Sequence, residues 1–196
     1  MLGIKNGKVK LSKFNKNWHK RFLKEKNLLS NVLKDFNVKI EHIGSTSIIG
    51  ARAKPIIDIS VGLKNIDDLA KIIPLITSIG YVFRENLNKP NPYFARKYNL
   101  FHKATYHLHL ESCCGKSWQR HILFRDYCNS FPEVTIKYNH LKQQLYKKYK
   151  NNRHEYQQGK EQFIDETIEQ AIKYFNETKV TNEVFSHYLF NKPKIS

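Results

Sequence analysis

One apolar run, "IIDISVGL" at residues 56–63, constrains the fold of this chain more than any other feature. The run is rich in β-branched side chains and has the length of one strand. Because side chains alternate across a strand, its larger apolar residues face a core while Asp58 and Ser60 face the opposite way. The core face carries Ile57, Ile59, Val61 and Leu63. The run therefore predicts a sheet with a core on one side and a small polar surface around Asp58 on the other.

A second stretch, Ala104–Glu111, shows the same alternation. Its apolar side chains fall on one face, and His107, His109 and Glu111 fall on the other. If the two strands are neighbours, these groups share a surface with Asp58. A buried charge that lacks a counter-charge is costly, so such a surface indicates cations, a metal or a substrate. A polar sheet face in contact with solvent is the alternative interpretation.

Periodicity along the rest of the chain predicts a mixed sheet between helices. Further strands are expected at Val38–Ile43, Tyr81–Arg84 and Tyr93–Tyr98. Helices are expected at Asn17–Phe36, Asp67–Ile79, Trp118–Ser130, Glu133–Lys150 and Gln158–Phe175. The fold class is therefore α/β in the broad α+β sense: a small mixed β-sheet flanked by helices, with a helical C-terminal third. We expect one domain over residues 1–175, a loop at 86–92 and a loosely ordered C-terminal tail at 176–196.

A Gly-Ser-Thr-Ser loop follows the first predicted strand. Small residues let backbone N–H groups approach an anion closely, and hydroxyls add further donors. We therefore expect Gly44, Ser45 and Thr46 to hold a phosphate, with Lys54 reaching it as a point charge. Such tetrapeptides are also common turns, and a solvated lysine is common too. The short separation from Asp58 favours the site, because a phosphate loop followed by a metal-binding carboxylate is what nucleotidyl transfer needs.

The side chains expected around Asp58 form a set of oxygen and nitrogen ligands. A carboxylate beside His107 and His109 suits Mn²⁺, Zn²⁺ or related metals better than Mg²⁺ alone. The alternative without a metal is that the histidines are protonated partners of Asp58, or donors to a substrate phosphate. Both interpretations make Asp58, His107 and His109 the candidate catalytic residues.

Two neighbouring pairs of polar residues leave their orientation open. Glu41 and His42 end the strand before the loop, and one of them is expected to point into the cleft, where His42 would touch substrate. A solvent-facing pair is the alternative. Arg96 and Lys97 alternate on their strand, so only one of them can face the cleft.

The charge balance favours acidic partners. The chain has 34 Lys and Arg against 17 Asp and Glu, a formal net charge of +17. Such an excess attracts nucleotides, other phosphate-bearing small molecules or, weakly, nucleic acid. A surface simply solvated by lysines is the alternative, because net charge describes association and defines no site.

Cysteine usage and hydropathy indicate the compartment. The three cysteines are odd in number and form no CxxC pair, so neither a disulfide framework nor a zinc knuckle is expected. The lysine-rich N-terminus lacks the apolar segment of a signal peptide, and no stretch reaches membrane-spanning length. We expect a cytoplasmic protein without a membrane partner; the sequence leaves its oligomeric state open.

Two blocks around the predicted strands resemble a known family. "IEHIGSTSIIGARAKPIIDISVGL" (40–63) and "TYHLHLESCCGKSWQRHILFRDYCNSFPEV" (105–134) resemble signatures of the GrpB family, also called UPF0157. The downstream segments "YNHLKQQLYKKY" and "YQQGKEQFI" also fit that family. The resemblance covers roughly residues 8–175.

The resemblance implies the fold of the nucleotidyltransferase superfamily. Its motif is Gly-Ser after a strand, then two acids separated by one residue on the next strand, and a third carboxylate on a later strand. Gly44 and Ser45 match the loop, and Asp58 matches the first acid. Ser60 stands at the second acidic position, and Glu111 or one of the two histidines is expected near the third.

Two hypotheses of function follow from this match. The first is a metal-dependent nucleotidyltransferase-like enzyme that binds a nucleotide with Mg²⁺ or Mn²⁺, with its acceptor open; the histidines opposite Asp58 favour it. The second is an inactive module that binds a nucleotide or a CoA-type ligand, or acts as an interaction partner. Ser60 in place of an acid favours the second hypothesis, and the family also includes fusions to dephospho-CoA kinases.

Overall fold

The computed structural model describes residues 10–85, 93–101 and 103–178, and its strands form one five-stranded sheet. The strands are β1 (Val38–Ile43), β2 (Ile57–Leu63), β3 (Tyr81–Glu85), β4 (Tyr93–Tyr98) and β5 (Ala104–Ser112). Their order in the sheet is β1-β2-β5-β4-β3. Strands β2 and β5 run parallel, and the other neighbouring pairs run antiparallel. The strand with Asp58 (β2) and the strand with the two histidines (β5) are therefore adjacent, as a shared polar surface requires.

Helices cover both faces of this sheet. They are α1 (Asn17–Val32), α2 (Leu69–Ser78), α3 (Lys116–Ser130), α4 (Pro132–Lys148), α5 (Arg153–Gln158) and α6 (Glu161–Thr178). The predicted class, a small mixed sheet flanked by helices with a helical C-terminal third, is confirmed. Among the described helices, none combines the length and the apolar composition that crossing a bilayer needs.

The alternate apolar residues of β2 and β5 face α1 and α2. Ile57, Ile59 and Leu108 are fully buried there and share a core with Phe22 and Leu29 of α1. Turning β2 over would expose side chains whose burial is worth about 1.5–3 kcal/mol each. The alternation thus forces the polar residues of β2 onto the opposite face.

Helix α3 covers one end of that opposite face. Trp118 lies over Gly62, where an added Cβ would come within 2.7 Å of the indole ring. Ile43 and Ile122 pack with Trp118, and all three are buried. Helices α4 and α6 pack in turn against α3 through a second core that includes Phe124. The polar face is closed at the Gly62 end and more open at the other end of β2.

Element boundaries differ from the predictions where local pattern is weak. Helix α1 ends at Val32 instead of Phe36. The single helix predicted over Gln158–Phe175 is wrong at its start, because α5 ends and α6 begins on either side of Gly159 and Lys160. A Cβ at Gly159 would clash with the side chain of Leu145, so the chain makes a close approach there. The predicted loop at 86–92 and residues 179–196 of the predicted tail lie outside the described residues, and 176–178 complete α6.

Candidate functional site

The pairing of β2 with β5 places Asp58 beside His107. Asp58 is opposite His107 in the parallel register, and Ser60 is opposite His109. The Nδ1 of His107 donates to Oδ1 of Asp58 over 2.9 Å, and the Asp58 side chain is 28% exposed. Burial alone would raise the pKa of Asp58, but the hydrogen bond and charge of His107, with the other nearby imidazoles, hold that pKa below its ordinary value. The site therefore presents an ionised, oriented and partly open carboxylate.

The Gly-Ser-Thr-Ser loop lies directly against this carboxylate. Gly44 has φ 68° and ψ −176°, a region that is almost restricted to glycine. A Cβ at Gly44 would lie 2.6 Å from Oδ2 of Asp58. Position 44 therefore excludes a side chain twice, through its backbone conformation and through its contact with Asp58. The loop and the carboxylate, separate in sequence, form one surface.

The hydroxyls of the loop have different surroundings. Thr46 is 3% exposed, and its Oγ1 lies 3.0 Å from Nε2 of His42. Ser47 donates to the carbonyl of Gly44 over 2.6 Å, which closes the turn. Ser45 is half-buried, and its Oγ lies 3.4 Å from the hydroxyl of Tyr138 on α4. Thr46 and Ser47 thus hold the loop together, and Ser45 borders the helical layer.

The open question about Glu41 and His42 is answered by register. His42 pairs with Ile59, so it lies on the apolar face, where it is 6% exposed and stacks on Phe22 with ring centroids 4.7 Å apart. Burial lowers the pKa of His42 to about 4, because its effect outweighs the attraction of the Asp58 carboxylate. Glu41 lies on the polar face and accepts from Nη1 of Arg125 over 2.6 Å. His42 is therefore a packed neutral imidazole, and Glu41 is half of an ion pair.

A buried polar network fills the face beneath α3. Ser60 donates to Oε1 of Glu111, and Nδ1 of His121 donates to the same oxygen over 3.1 Å. The rings of His109 and His121 pack edge to face with centroids 5.3 Å apart. Ser60 is 0% exposed and Glu111 6%. These residues belong to the closed part of the face, so the expected single cleft is divided into an open Asp58 half and a buried half.

The pKa values of an acid and of a base in this network are both lowered, which keeps the acid ionised and the base neutral. Burial alone would raise the pKa of Glu111, but the hydrogen bonds from His121 and Ser60, together with the charge of His121, lower it to about 2. Burial and the charge of His121 lower the pKa of His109 to about 4. At neutral pH the network therefore holds an ionised Glu111 next to a neutral His109.

The basic residues of β4 divide as alternation requires. Arg96 is opposite His107 in the sheet, on the same face as Asp58. Lys97 lies on the other face, where its Nζ is 2.9 Å from Oε1 of Glu25. Arg96 is thus the member of this pair that borders the candidate site.

Lys54, the predicted phosphate contact, lies in the stretch before β2. Its Nζ is 5.0 Å from the centroid of the Tyr156 ring on α5. Burial, followed by repulsion from Arg153 and Lys160, lowers the pKa of Lys54 to about 7. The structure thus brings a cation from the sequence-predicted site together with cations of the C-terminal helices.

The candidate metal ligands do not converge into a cage. Within the ranges that the structure describes, no group of three or more His, Cys, Asp or Glu side chains is placed to hold a metal ion. Asp58 uses Oδ1 to accept from His107, and His109 packs on His121. A single ionised carboxylate fits Mg²⁺ or Mn²⁺, because these ions take most of their other ligands from water or from phosphates. It does not fit Zn²⁺, which takes three or four protein ligands.

Sequence reasoning missed His121, Arg153, Tyr156 and Lys160. His121 lies inside a predicted helix whose docking on β5 has no local signature. Tyr156 and Lys160 are part of "YQQGKEQFI", a segment noted only for its family resemblance. Arg153, Tyr156 and Lys160 follow Asp58 by about a hundred residues, and proximity across such a separation depends on the complete fold.

Comparisons with known proteins agree with this fold. A family model described as "GrpB protein" matches residues 8–170. The chain is 37% identical over 171 residues to the glutamate-rich protein GrpB of Alkalihalophilus pseudofirmus, covering 86% of this chain and 98% of the relative. It is 33% identical to the UPF0157 protein YqkA of Bacillus subtilis, covering 85% of this chain and 48% of the relative. The crystal structure of conserved protein GrpB from Enterococcus faecalis matches with a TM-score of 0.75 at 29% identity, covering 85% of this chain and 99% of that one.

Proposed function

The chain belongs to the GrpB family, and from that premise we propose that it binds a nucleotide with a divalent cation at Gly44 and Asp58. In this proposal it is nucleotidyltransferase-like, and it transfers a nucleotidyl group to an acceptor. The ligand class extends to other phosphate-bearing small molecules that carry the same phosphate chemistry.

One observation carries this proposal: the contact between Gly44 and the Asp58 carboxylate. A phosphate held at the loop lies next to an ionised carboxylate, and two anionic groups at that distance need a cation between them. His107 fixes the orientation of the carboxylate through its 2.9 Å hydrogen bond. The arrangement therefore suits a ligand that arrives as a metal–phosphate complex.

A bound Mg²⁺ or Mn²⁺ ion would neutralise charge on the phosphate oxygens during transfer. Asp58 is the residue that would hold it, and His107 is the residue that orients Asp58. His109 lies two residues after His107 on β5, opposite Ser60, and is neutral at pH 7 because its pKa is about 4. Because His109 lies in the buried half of the face, against His121, the proposal gives it no contact with the metal or the phosphates.

The proposed reaction is a displacement at the α-phosphorus of a nucleoside triphosphate. An acceptor oxygen forms a bond to that phosphorus as the bond to the β-phosphate oxygen breaks, and pyrophosphate leaves. The proton of the acceptor is released to water at the open Asp58 end of the site, because Asp58 has a lowered pKa and already accepts from His107. Positioning and electrostatics carry most of the catalysis in this class of reaction.

A second candidate is a binding module without chemistry, and Ser60 favours it. Ser60 stands where the superfamily has its second acid, is 0% exposed and donates to Glu111. The open half of the site therefore holds one strand carboxylate where two-metal catalysis needs more. Such a module would bind a nucleotide or a CoA-type ligand at the same loop, or would serve as an interaction partner.

A thermal-shift panel tests the shared claim. Nucleoside mono-, di- and triphosphates and coenzyme A are each added with Mg²⁺, with Mn²⁺ and with a chelator. A ligand at a hundred times its Kd stabilises the folded state by about 2.7 kcal/mol. We expect stabilisation by a nucleotide that requires the metal, and an absence of any metal-dependent shift would contradict the proposal. Release of pyrophosphate from the stabilising triphosphate then separates the enzyme from the module.

A further inference from the structure

Lys54 and Lys160, from two distant parts of the sequence, meet at the Tyr156 ring, Arg153 begins the helix that carries this ring, and the charge of Asp58 acts on all three cations. Lys54 precedes β2, Arg153 begins α5, and Lys160 lies between α5 and α6. The ammonium groups of Lys54 and Lys160 lie 5.0 and 5.2 Å from the centroid of the same ring, that of Tyr156. Tyr156 is 2% exposed, so it forms a buried platform that holds both cations within a small space.

Within the described part of the chain, these cations form no ion pair with a carboxylate. Across residues 10–85, 93–101 and 103–178, no carboxylate lies within 4.0 Å of the charged groups of Lys54, Arg153 or Lys160. Arg120, by contrast, binds Glu161 and Asp165 at the start of α6. Three half-buried basic side chains outnumber the two carboxylates that act on them, Asp58 and Glu161, and Glu161 is already paired with Arg120.

The electrostatics of the cluster agree with this imbalance. Burial and mutual repulsion lower the pKa of Lys54 to about 7, and burial lowers the pKa of Lys160 and of Arg153. The attraction of Asp58, preceded at Lys160 by that of Glu161, opposes each of these shifts without cancelling it. Folding thus brings these cations together at a cost that a bound polyanion removes.

Lys142 shows what a structural lysine looks like in the same region. It is 1% exposed, donates to the carbonyl of Arg52, and lies 3.9 Å from the centroid of the Tyr138 ring. The side chains of Lys54 and Lys160 have no such backbone acceptor among the described residues. Their contacts leave the hydrogen-bond donors of both ammonium groups available for a ligand.

We propose that Lys54, Arg153 and Lys160 form a polyphosphate subsite that receives the terminal phosphates of the ligand bound at Gly44 and Asp58. The inference rests on the proposed function and deepens it, because it selects a chain of two or more phosphates over a monophosphate. Three cations against Asp58 and a Glu161 that is already paired with Arg120 match a group with several negative charges. The helices α5 and α6 are thereby part of the ligand site, and Tyr156 positions two of its cations.

Titration calorimetry with metal-free inorganic phosphates tests the subsite without a nucleoside. The full chain is titrated with orthophosphate, pyrophosphate and tripolyphosphate in the presence of a chelator, and affinity is expected to rise in that order. Lys54→Gln, Arg153→Gln and Lys160→Gln should each weaken tripolyphosphate binding by about tenfold or more, since each substitution removes charged hydrogen bonds to the phosphates. Lys147→Gln removes an exposed lysine of α4 and should change the affinity less than about twofold.

The melting temperature of the free variants supplies an independent readout. Because the three cations repel one another, removing one should leave the melting temperature unchanged or raise it. Equal affinity for all three phosphates, parental tripolyphosphate binding in the three variants, or a lowered melting temperature in all of them would overturn the subsite. Tripolyphosphate binding that depends on these cations, without metal-dependent nucleotide binding, would sustain the subsite and reject the nucleotide proposal. Metal-dependent nucleotide binding that is unchanged by the three substitutions would sustain the nucleotide proposal and reject the subsite.

Discussion

At the scale of single residues, the site depends on the contact between Gly44 and Asp58. The glycine supplies a backbone conformation that other residues avoid, and it leaves the space that the carboxylate occupies. Asp58 is kept ionised by His107, a residue that follows it by 49 positions and meets it through strand pairing. Each member has a role only because the other two are in place.

Gly44→Ala is expected to impair both folding and binding. Strain in this backbone region costs about 1–3 kcal/mol, and the new Cβ displaces the Asp58 carboxylate. Urea denaturation should show the loss of stability, and metal-dependent nucleotide stabilisation should disappear. Gly50→Ala is the matched control, because Gly50 has φ 77° and nothing within 4 Å of its added Cβ. If Gly44→Ala retained ligand stabilisation while Gly50→Ala lost it, the contact would have no role in the site.

At the scale of secondary structure, α3 decides which part of the polar face is open. Its Trp118 packs on Gly62, and its His121 completes the network of Ser60 and Glu111. Arg125 of the same helix holds Glu41. One helix thus closes the Gly62 end of β2 and leaves the Asp58 end to the loop and to the cations of α5 and α6.

Gly62→Ala should destabilise the docking of α3 on β2. The added Cβ would approach the buried indole to 2.7 Å, and overpacking of this kind costs about 1–3 kcal/mol. Trp118→Phe alone should also destabilise, through the cavity that it leaves. Denaturation of the two single variants and the double variant gives a double-mutant cycle. The double variant should lose less free energy of unfolding than the sum of the two single losses. Additive losses would show that the two residues do not press on each other.

The sequence predicted the faces of the strands better than their surroundings. The alternation around Ile57 and Ile59 predicted which way Asp58 faces, because the opposite orientation of β2 would expose its large apolar side chains. The register that pairs Asp58 with His107 could not be predicted, since it depends on two strands separated along the chain. Ser60 was expected in the cleft because it shares a face with Asp58, but α3 covers that end of the strand. The same non-local packing hid His121 and the cations of α5 and α6.

At the scale of the whole molecule, buried histidines link stability to pH. In the folded state the pKa values of His42 and His109 are about 4, because burial disfavours the imidazolium. The unfolded chain binds protons at both residues below about pH 6.5. Protonation in that range therefore favours unfolding. Glu111, whose pKa is about 2, adds a loss of stability only below about pH 4.5.

The free energy of unfolding is expected to fall as pH decreases from 6.5 to 4. Each histidine contributes up to about 1.4 kcal/mol per pH unit. Urea denaturation at several pH values across this window measures the slope. His42→Gln should reduce the slope, whereas His154→Gln removes an exposed histidine and serves as the control. A stability that stayed constant across the window would contradict the burial argument.

The net charge of +17 is also a property of the whole chain, and it predicts weak, salt-sensitive binding to nucleic acid. Contacts with phosphates release counterions, so affinity falls steeply as salt rises. Retention on single-stranded DNA and on heparin should decrease between low and high salt. Lys160→Gln should leave that profile nearly unchanged, because one half-buried cation is a small part of 34 basic residues. If retention did not change with salt, the basic residues would not form a surface that binds polyanions.

The central claim, that Asp58 is the carboxylate of a metal-dependent nucleotide site, is tested most directly by Asp58→Asn. The substitution keeps the shape of the side chain and removes its charge, and circular dichroism should show an intact fold because Asp58 lies at the open end of that face, outside the network beneath α3. Asp35→Asn, an exposed change on the chain between α1 and β1, is the matched control. In thermal-shift titrations with nucleotide and Mn²⁺, we predict that Asp58→Asn loses the metal-dependent stabilisation while Asp35→Asn keeps it. An Asp58→Asn protein that unfolds, or that binds the metal–nucleotide complex as well as the parent does, would contradict the account.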